Sequence, residues 1–89
     1  MLTGAIELFQ LGRIGEANAI LSELNRNKGN VTFLSLHLQA VCLAKLSQFD
    51  KAKGLALEAL DRATQTSQKI EVKALIENIE KALTKKSIS

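Results

Sequence analysis

The stretch Leu11-Gly12-Arg13-Ile14-Gly15-Glu16-Ala17 decides the fold, because a stretch of the same character follows 35 positions later as Leu46-Ser47-Gln48-Phe49-Asp50-Lys51-Ala52. Each stretch lies between two apolar segments with helical spacing. Gly12 is typical of the left-handed residue that ends a helix. A helix–turn–helix unit that repeats with a period of about 34 residues predicts a solenoid of stacked helical hairpins.

The apolar pattern predicts an all-α fold of about five antiparallel helices, as two helical-hairpin repeats plus a C-terminal amphipathic helix. The predicted helices cover about residues 2–11, 16–26, 31–46, 50–63 and 68–85. Asp50 is in a position to cap the fourth helix. In a chain of 89 residues we expect one domain, residues 1–86, followed by a disordered tail, 87–89.

Composition and charge argue against several classes of function. The net charge is +3, but Lys and Arg are scattered among Asp and Glu, whereas DNA-binding proteins concentrate them on one face. The absence of Tyr and Trp removes side chains on which single-stranded nucleic acids stack. No apolar run approaches the roughly 20 residues that span a bilayer, and the amino terminus shows no secretory signal. We therefore expect a cytoplasmic protein that neither binds nucleic acid nor enters a membrane.

The residues that could support catalysis or metal binding are few. His37 and Cys42 are five positions apart, which separates them by about 140° around a helix and disfavours a nucleophile–base pair. Neither has companions for a zinc site, which typically needs three or four ligands. Cys42 is predicted to be a small buried hydrophobe. The chain is expected to be no enzyme and to use neither a metal nor a cofactor.

The first and third helices are too apolar for elements that bury only one face. If Ala5 and Leu8 meet the second helix, and Ala40 and Leu43 meet the fourth, a further set of side chains remains uncovered. An uncovered apolar patch on a soluble protein often marks an interface. The predicted partner-binding surface, with two polar rim residues, is Leu2, Ile6, Phe9, Leu34, His37, Leu38, Val41 and Lys45.

Two alternative roles for these apolar residues stay open. The third helix is central in the predicted stack, so its apolar residues can simply be buried on most sides. Alternatively, two copies of the chain can pair through this surface when no partner is present.

The two turn stretches resemble the tetratricopeptide repeat (TPR). The small turn residue and the early alanine of that repeat correspond to Gly12 with Ala17 and to Ser47 with Ala52. Its bulky residue that packs the turn corresponds to Ile14 and Phe49. The resemblance implies a TPR-like solenoid whose concave face binds another polypeptide.

Two further segments resemble small chaperones of bacterial type III secretion needle subunits: Glu16-Ala17-Asn18-Ala19-Ile20-Leu21-Ser22-Glu23-Leu24 and Leu38-Gln39-Ala40-Val41-Cys42-Leu43-Ala44-Lys45-Leu46. This resemblance implies a non-enzymatic chaperone in the bacterial cytoplasm. It would hold an amphipathic helix of a needle subunit in its concave groove, together with a small helical co-chaperone, and keep that subunit soluble before secretion. The alternatives are a general TPR scaffold for protein–protein interaction and, with less support, a basic nucleic-acid-binding helical domain.

Overall fold

The chain folds into five α-helices and one short 3₁₀ helix. A computed structural model describes the backbone of residues 2–88 and the side chains of residues 2–85. The elements are α1 (Leu2–Gln10), α2 (Ile14–Arg26), the 3₁₀ helix (Lys28–Asn30), α3 (Phe33–Lys45), α4 (Phe49–Arg62) and α5 (Thr66–Ile88). Residues 2–88 contain no strand. The predicted all-α class and the five helices are confirmed.

The starts of α2, α3, α4 and α5 differ from the prediction by one or two residues. α3 begins at Phe33 rather than at residue 31, because Thr32 caps it: its side chain accepts from the Ser35 N–H (3.1 Å), and the Ser35 hydroxyl accepts from the Thr32 N–H (2.9 Å). The prediction that Asp50 caps α4 is wrong, because Gln48 occupies the capping position and makes no side-chain bond there. Asp50 lies in the first turn, where its charge still favours the helix dipole.

α5 is longer than predicted at both ends. At its start the Gln68 side-chain oxygen accepts from the backbone N–H groups of Thr64 and Gln65, at 3.1 and 3.3 Å. At its end the helix continues through residues 87 and 88, for which the sequence predicts a disordered tail. Residues 81–88 contain neither glycine nor proline, so nothing in the chain stops the helix there. The last residue of the predicted tail, Ser89, lies outside the described residues.

The turn between α1 and α2 is built around a left-handed glycine. Gly12 has φ +81°, and its N–H donates to the Phe9 carbonyl at 3.0 Å. The Arg13 N–H donates to the Leu8 carbonyl at 2.9 Å. This pair of bonds is the Schellman arrangement, which satisfies carbonyls at the end of a helix. The predicted role of Gly12 as a left-handed cap is confirmed.

The turn between α3 and α4 repeats the same bonds 35 residues later. The Ser47 N–H donates to the Ala44 carbonyl at 3.1 Å, and the Gln48 N–H donates to the Leu43 carbonyl at 2.8 Å. Ser47 takes the place of the glycine and has φ +64°. The repeated stretch in the sequence therefore corresponds to one hydrogen-bonding pattern used twice.

Replacing Ser47 with glycine should raise the free energy of unfolding by about 0.5–1 kcal/mol. The left-handed conformation costs an L-residue about 1–2 kcal/mol, and the greater freedom of glycine in the unfolded chain cancels part of that gain. Gly12→Ala should shift the stability in the opposite direction by a similar amount. Urea unfolding followed by helical circular dichroism measures both variants. A loss of stability in Ser47→Gly would show that the serine side chain supports this turn.

The core consists of two clusters that α3 joins. In the N-terminal cluster, α1 and α2 pack around Cys42 of α3; its buried members are Ala5, Ala17, Leu21, Leu24 and Cys42. In the C-terminal cluster, α3, α4 and α5 pack together; its buried members are Leu36, Ala40, Leu43, Ala52, Ala56, Ala59, Val72, Ile76 and Ile79. Because α4 contributes only alanines to the buried set, α3 and α5 can approach it closely.

The outer side of α5 ends the stack. Its buried side carries Val72, Ile76 and Ile79, whereas the exposed side includes Glu77 and Lys81, which form an i,i+4 ion pair at 3.5 Å. A polar outer face is typical of the terminal element of a helical repeat.

Candidate partner-binding groove

One face of α3 is left uncovered by its neighbours. Leu36 and Ala40 lie in the C-terminal cluster, and Cys42 lies in the N-terminal cluster, so two sides of the helix are occupied. The residues on the remaining side are spaced by three, four and four positions, which places them on successive turns of one helical face. We call them the groove strip: Leu34, His37, Val41 and Lys45.

α1 forms one flank of the groove strip. The Lys45 Nζ lies 5.8 Å from the centroid of the Phe9 ring, within reach of a cation–π interaction. Leu38, next to the strip, packs against the N-terminal cluster together with Phe9 and Leu2. The first helix is therefore attached to α3 through both an apolar contact and a charged one.

α5 forms the other flank. The His37 ring lies 5.4 Å from the Phe33 ring at an interplanar angle of 45°. The negative charge of Glu71 on α5 raises the pKa of His37, against the larger effect of burial. The apolar side chains of the groove strip thus lie between a lysine end near α1 and a carboxylate on α5.

The structure brings the sequence-predicted surface residues onto α1 and the open face of α3, but they are not equally free. Part of the surface of Leu2, Phe9 and Leu38 is already used inside the N-terminal cluster, which α1, α2 and α3 build together. Ile6 and Val41 are half-buried and belong to neither cluster. The most open apolar member is Leu34, whose exposed fraction is 46%. That these residues bind a partner stays a prediction.

Sequence reasoning misses two residues of this surface. The amphipathic pattern places Glu71 on the polar, solvent-facing side of the last helix, and it does not distinguish Phe33 within the third. Glu71 is 34 positions from His37, one short of the 35-residue offset between the two turn stretches, so the repeat points to Val72 and not to Glu71 as the equivalent of His37. Residues one repeat apart occupy equivalent places on adjacent helices of a solenoid.

Burial lowers the pKa of His37 below its ordinary value of 6.5, while the charge of Glu71 opposes that shift. The imidazole is therefore mainly neutral at neutral pH. A neutral ring suits an apolar surface, because it can bind through one N–H donor and one acceptor without a net charge.

Lowering the pH should destabilise the domain through His37. Because its pKa is lower in the folded than in the unfolded chain, the unfolded state takes up the proton first, and stability present above pH 6.5 is lost as the pH falls through the folded pKa. We expect the decrease in unfolding free energy between about pH 7.5 and about pH 5 to be smaller in His37→Gln than in the unmodified chain. Urea unfolding at both pH values measures it. Equal decreases in the two proteins would rule out His37 as the source.

Cys42 is fully buried in the N-terminal cluster, as predicted for a small buried hydrophobe. Burial raises the pKa of its thiol, and the charge of Lys45 opposes that shift. Within the described side chains, no three His, Cys, Asp or Glu residues come together in a way that could hold a metal ion. None of the helices described here is both long and apolar enough to cross a membrane.

Comparison with known proteins adds no information on function, so the groove is the main observation from which a function can be argued. No protein-family model matches the chain, and no curated protein or solved structure matches it.

Proposed function

We propose that this protein binds an amphipathic helix of a partner polypeptide along the groove strip and thereby keeps that partner from self-associating. The observation that supports the proposal is the strip itself. Leu34, the neutral His37 and Val41 lie on three successive turns of the helix, and Leu34 is 46% exposed. The charged member of the strip, Lys45, lies at its end. A helix that presents apolar residues at i, i+3, i+4 and i+7 is the complement of such a surface.

The strength of this contact is limited. Fully burying an aliphatic side chain contributes about 1.5–3 kcal/mol, and Ile6 and Val41 are already half-buried before a partner arrives. Association itself costs at least about 4 kcal/mol. The three anchors Ile6, Leu34 and Val41 therefore support only weak binding by this chain alone. A tight complex needs a further component, which is consistent with a small helical co-chaperone in a heterocomplex.

In its narrower form, the proposal concerns a client that assembles into a polymer outside the cell. Residues 16–24 and 38–46 resemble chaperones of type III secretion needle subunits, so the proposed client is a needle-like subunit held in the bacterial cytoplasm before export. A chain that covers the apolar face of such a subunit blocks the same surface that the subunit uses to polymerise. Chaperoning then requires no chemical step.

Site-specific photo-crosslinking in the host cell tests the proposal. A photoreactive amino acid replaces Leu34 in the groove strip or, as a matched control, Leu57 on α4, whose exposed fraction of 48% is nearly the same. We expect position 34 to yield one main adduct that position 57 does not give. Mass spectrometry should place the crosslink in an amphipathic helical segment of the adduct.

Two results would contradict the proposal. Equal yields of the same adducts from both positions would indicate contact without use of the groove. A crosslink from position 34 to a second copy of this chain, in the absence of other adducts, would assign the surface to self-pairing.

A further inference from the structure

A second concave feature lies on the opposite side of α3 from the groove strip. Gln39 is two residues from Val41, which places the two on nearly opposite faces of the helix. There, residues of α2, α3 and α4 line a cleft of about 370 Å³. The cleft is lined by Asn18, Ser22, Gln39, Leu43, Gln48, Lys51, Gly54, Leu55 and Glu58.

The floor of the cleft is a buried carboxamide with unused hydrogen-bonding capacity. The Gln39 side-chain oxygen accepts from Asn25 at 2.8 Å, and its side-chain nitrogen donates to the Asn18 oxygen at 3.4 Å. Gln39 is only 7% exposed. A glutamine side chain has two N–H donors and two acceptor sites, so these two bonds use one of each. One donor and one acceptor site of Gln39 are not used by these two bonds.

One wall of the cleft contains a glycine that the packing does not explain. Gly54 lies in the interior of α4, where glycine is less favourable than alanine. A Cβ placed on Gly54 would meet no atom within 4 Å, so no neighbour requires its small size. A glycine in such a place allows another backbone to approach the helix closely.

The charges of the cleft also restrict what can bind. Lys51 and Glu58 are its two ionisable residues, and their charges cancel. The remaining polar groups are amides and a hydroxyl that both donate and accept. We propose that this cleft binds a short extended polypeptide segment, whose backbone N–H and C=O groups pair with the Gln39 and Asn18 carboxamides as the segment passes Gly54. This site is independent of the groove strip.

Nuclear magnetic resonance of the full ¹⁵N-labelled chain tests the proposal with N-acetyl-trialanine amide as the probe. We expect a dissociation constant on the order of millimolar, as for a small uncharged ligand. Concentration-dependent shifts should appear for the side-chain NH₂ groups of Gln39 and Asn18 and for the Gly54 amide. The amides of Leu34 and Val41, on the opposite face, should not shift.

Substitutions in the α2 and α4 walls of the cleft show whether a loss of binding arises without a loss of folding. Gly54→Leu and Ser22→Leu each narrow the cleft from one wall and should abolish the shifts of the Gln39 side chain. Gly54→Ala, which favours the helix but adds one methyl group where the segment passes, should reduce the shifts less than Gly54→Leu does. An unchanged pattern of the remaining amide signals shows that each variant is folded.

The proposal is overturned by an absence of shifts at Gln39 and Asn18, or by shifts that persist in both leucine variants. It is also overturned if acetamide causes the same shifts at the same concentration, because the cleft would then recognise an isolated amide rather than a chain of them. Since the probe needs no client, none of these outcomes depends on the groove strip.

Discussion

Replacing Leu36 with alanine should lower the free energy of unfolding by about 2–5 kcal/mol. Leu36 is 1% exposed and belongs to the C-terminal cluster, to which α4 and α5 also contribute. The buried α4 members of this cluster are alanines, whose short side chains cannot fill the space that the leucine leaves. The cavity therefore remains, and the cost of the lost contacts is added to the lost burial. A domain of this size has a total stability of only about 5–13 kcal/mol.

Chemical denaturation followed by helical circular dichroism measures this loss. Leu57→Ala is the control, because Leu57 is 48% exposed and belongs to neither cluster. It should change the stability by less than about 0.5 kcal/mol. If the two variants lose similar amounts, α3 does not join α4 and α5 through Leu36.

Replacing Val41 with aspartate should weaken the binding of the proposed client helix at least about 100-fold, which corresponds to about 2.7 kcal/mol. The partner helix would cover the new carboxylate, which would have only Lys45, one turn away, as a counter-charge. A buried charge is costly even when it is paired. Val41 is half-exposed and lies outside both clusters, so the fold should be retained.

Two measurements check this prediction. The solubility of the client in the host cell, where any further component is present, shows whether it is still protected, and circular dichroism of the purified variant shows whether the chain is folded. Loss of both solubility and helical signal would assign Val41 a structural role. Full protection of the client by a folded Val41→Asp protein would exclude the groove strip as the binding surface.

The turns can be predicted from the sequence because their information is local. A left-handed residue and a nearby alanine determine the hydrogen bonds between adjacent residues, and these bonds recur at Gly12 and Ser47. The cap of α3 is also local but escapes prediction, since Thr32 and Ser35 stand inside what reads as one continuous apolar segment. The prediction of Asp50 as a cap is wrong by two positions, because Gln48 starts α4 without a capping side chain.

Which apolar side chains of α1 and α3 are covered by other helices cannot be predicted in the same way. Apolar spacing gives the direction of a side chain around its own helix, but it does not state which other helix lies there. The sequence predicts that Phe9 and Leu38 point away from the core, and both pack against the N-terminal cluster because α1 lies close to α3. The free apolar surface is consequently narrower than the sequence indicates.

The cleft on the side of α3 opposite the groove strip is only weakly indicated by the sequence. Gln39 is the only glutamine between the apolar residues of α3, and a polar residue in such a segment commonly has a buried hydrogen-bonding role. Gly54 is a second indication, because it is a glycine in the middle of a predicted helix. Their proximity cannot be read from the chain, because it depends on how α2, α3 and α4 are arranged.

The affinity of the crosslinked client segment for a matched pair of variants tests the binding groove most directly. Leu34→Asp and Leu57→Asp introduce the same charge at leucines of nearly equal exposure, 46% and 48%, but only Leu34 belongs to the groove strip. Calorimetric titration with the segment as a synthetic peptide should show at least about tenfold weaker binding for Leu34→Asp and unchanged binding for Leu57→Asp. Equal affinities of the two variants would contradict the assignment of the groove strip as the partner-binding surface.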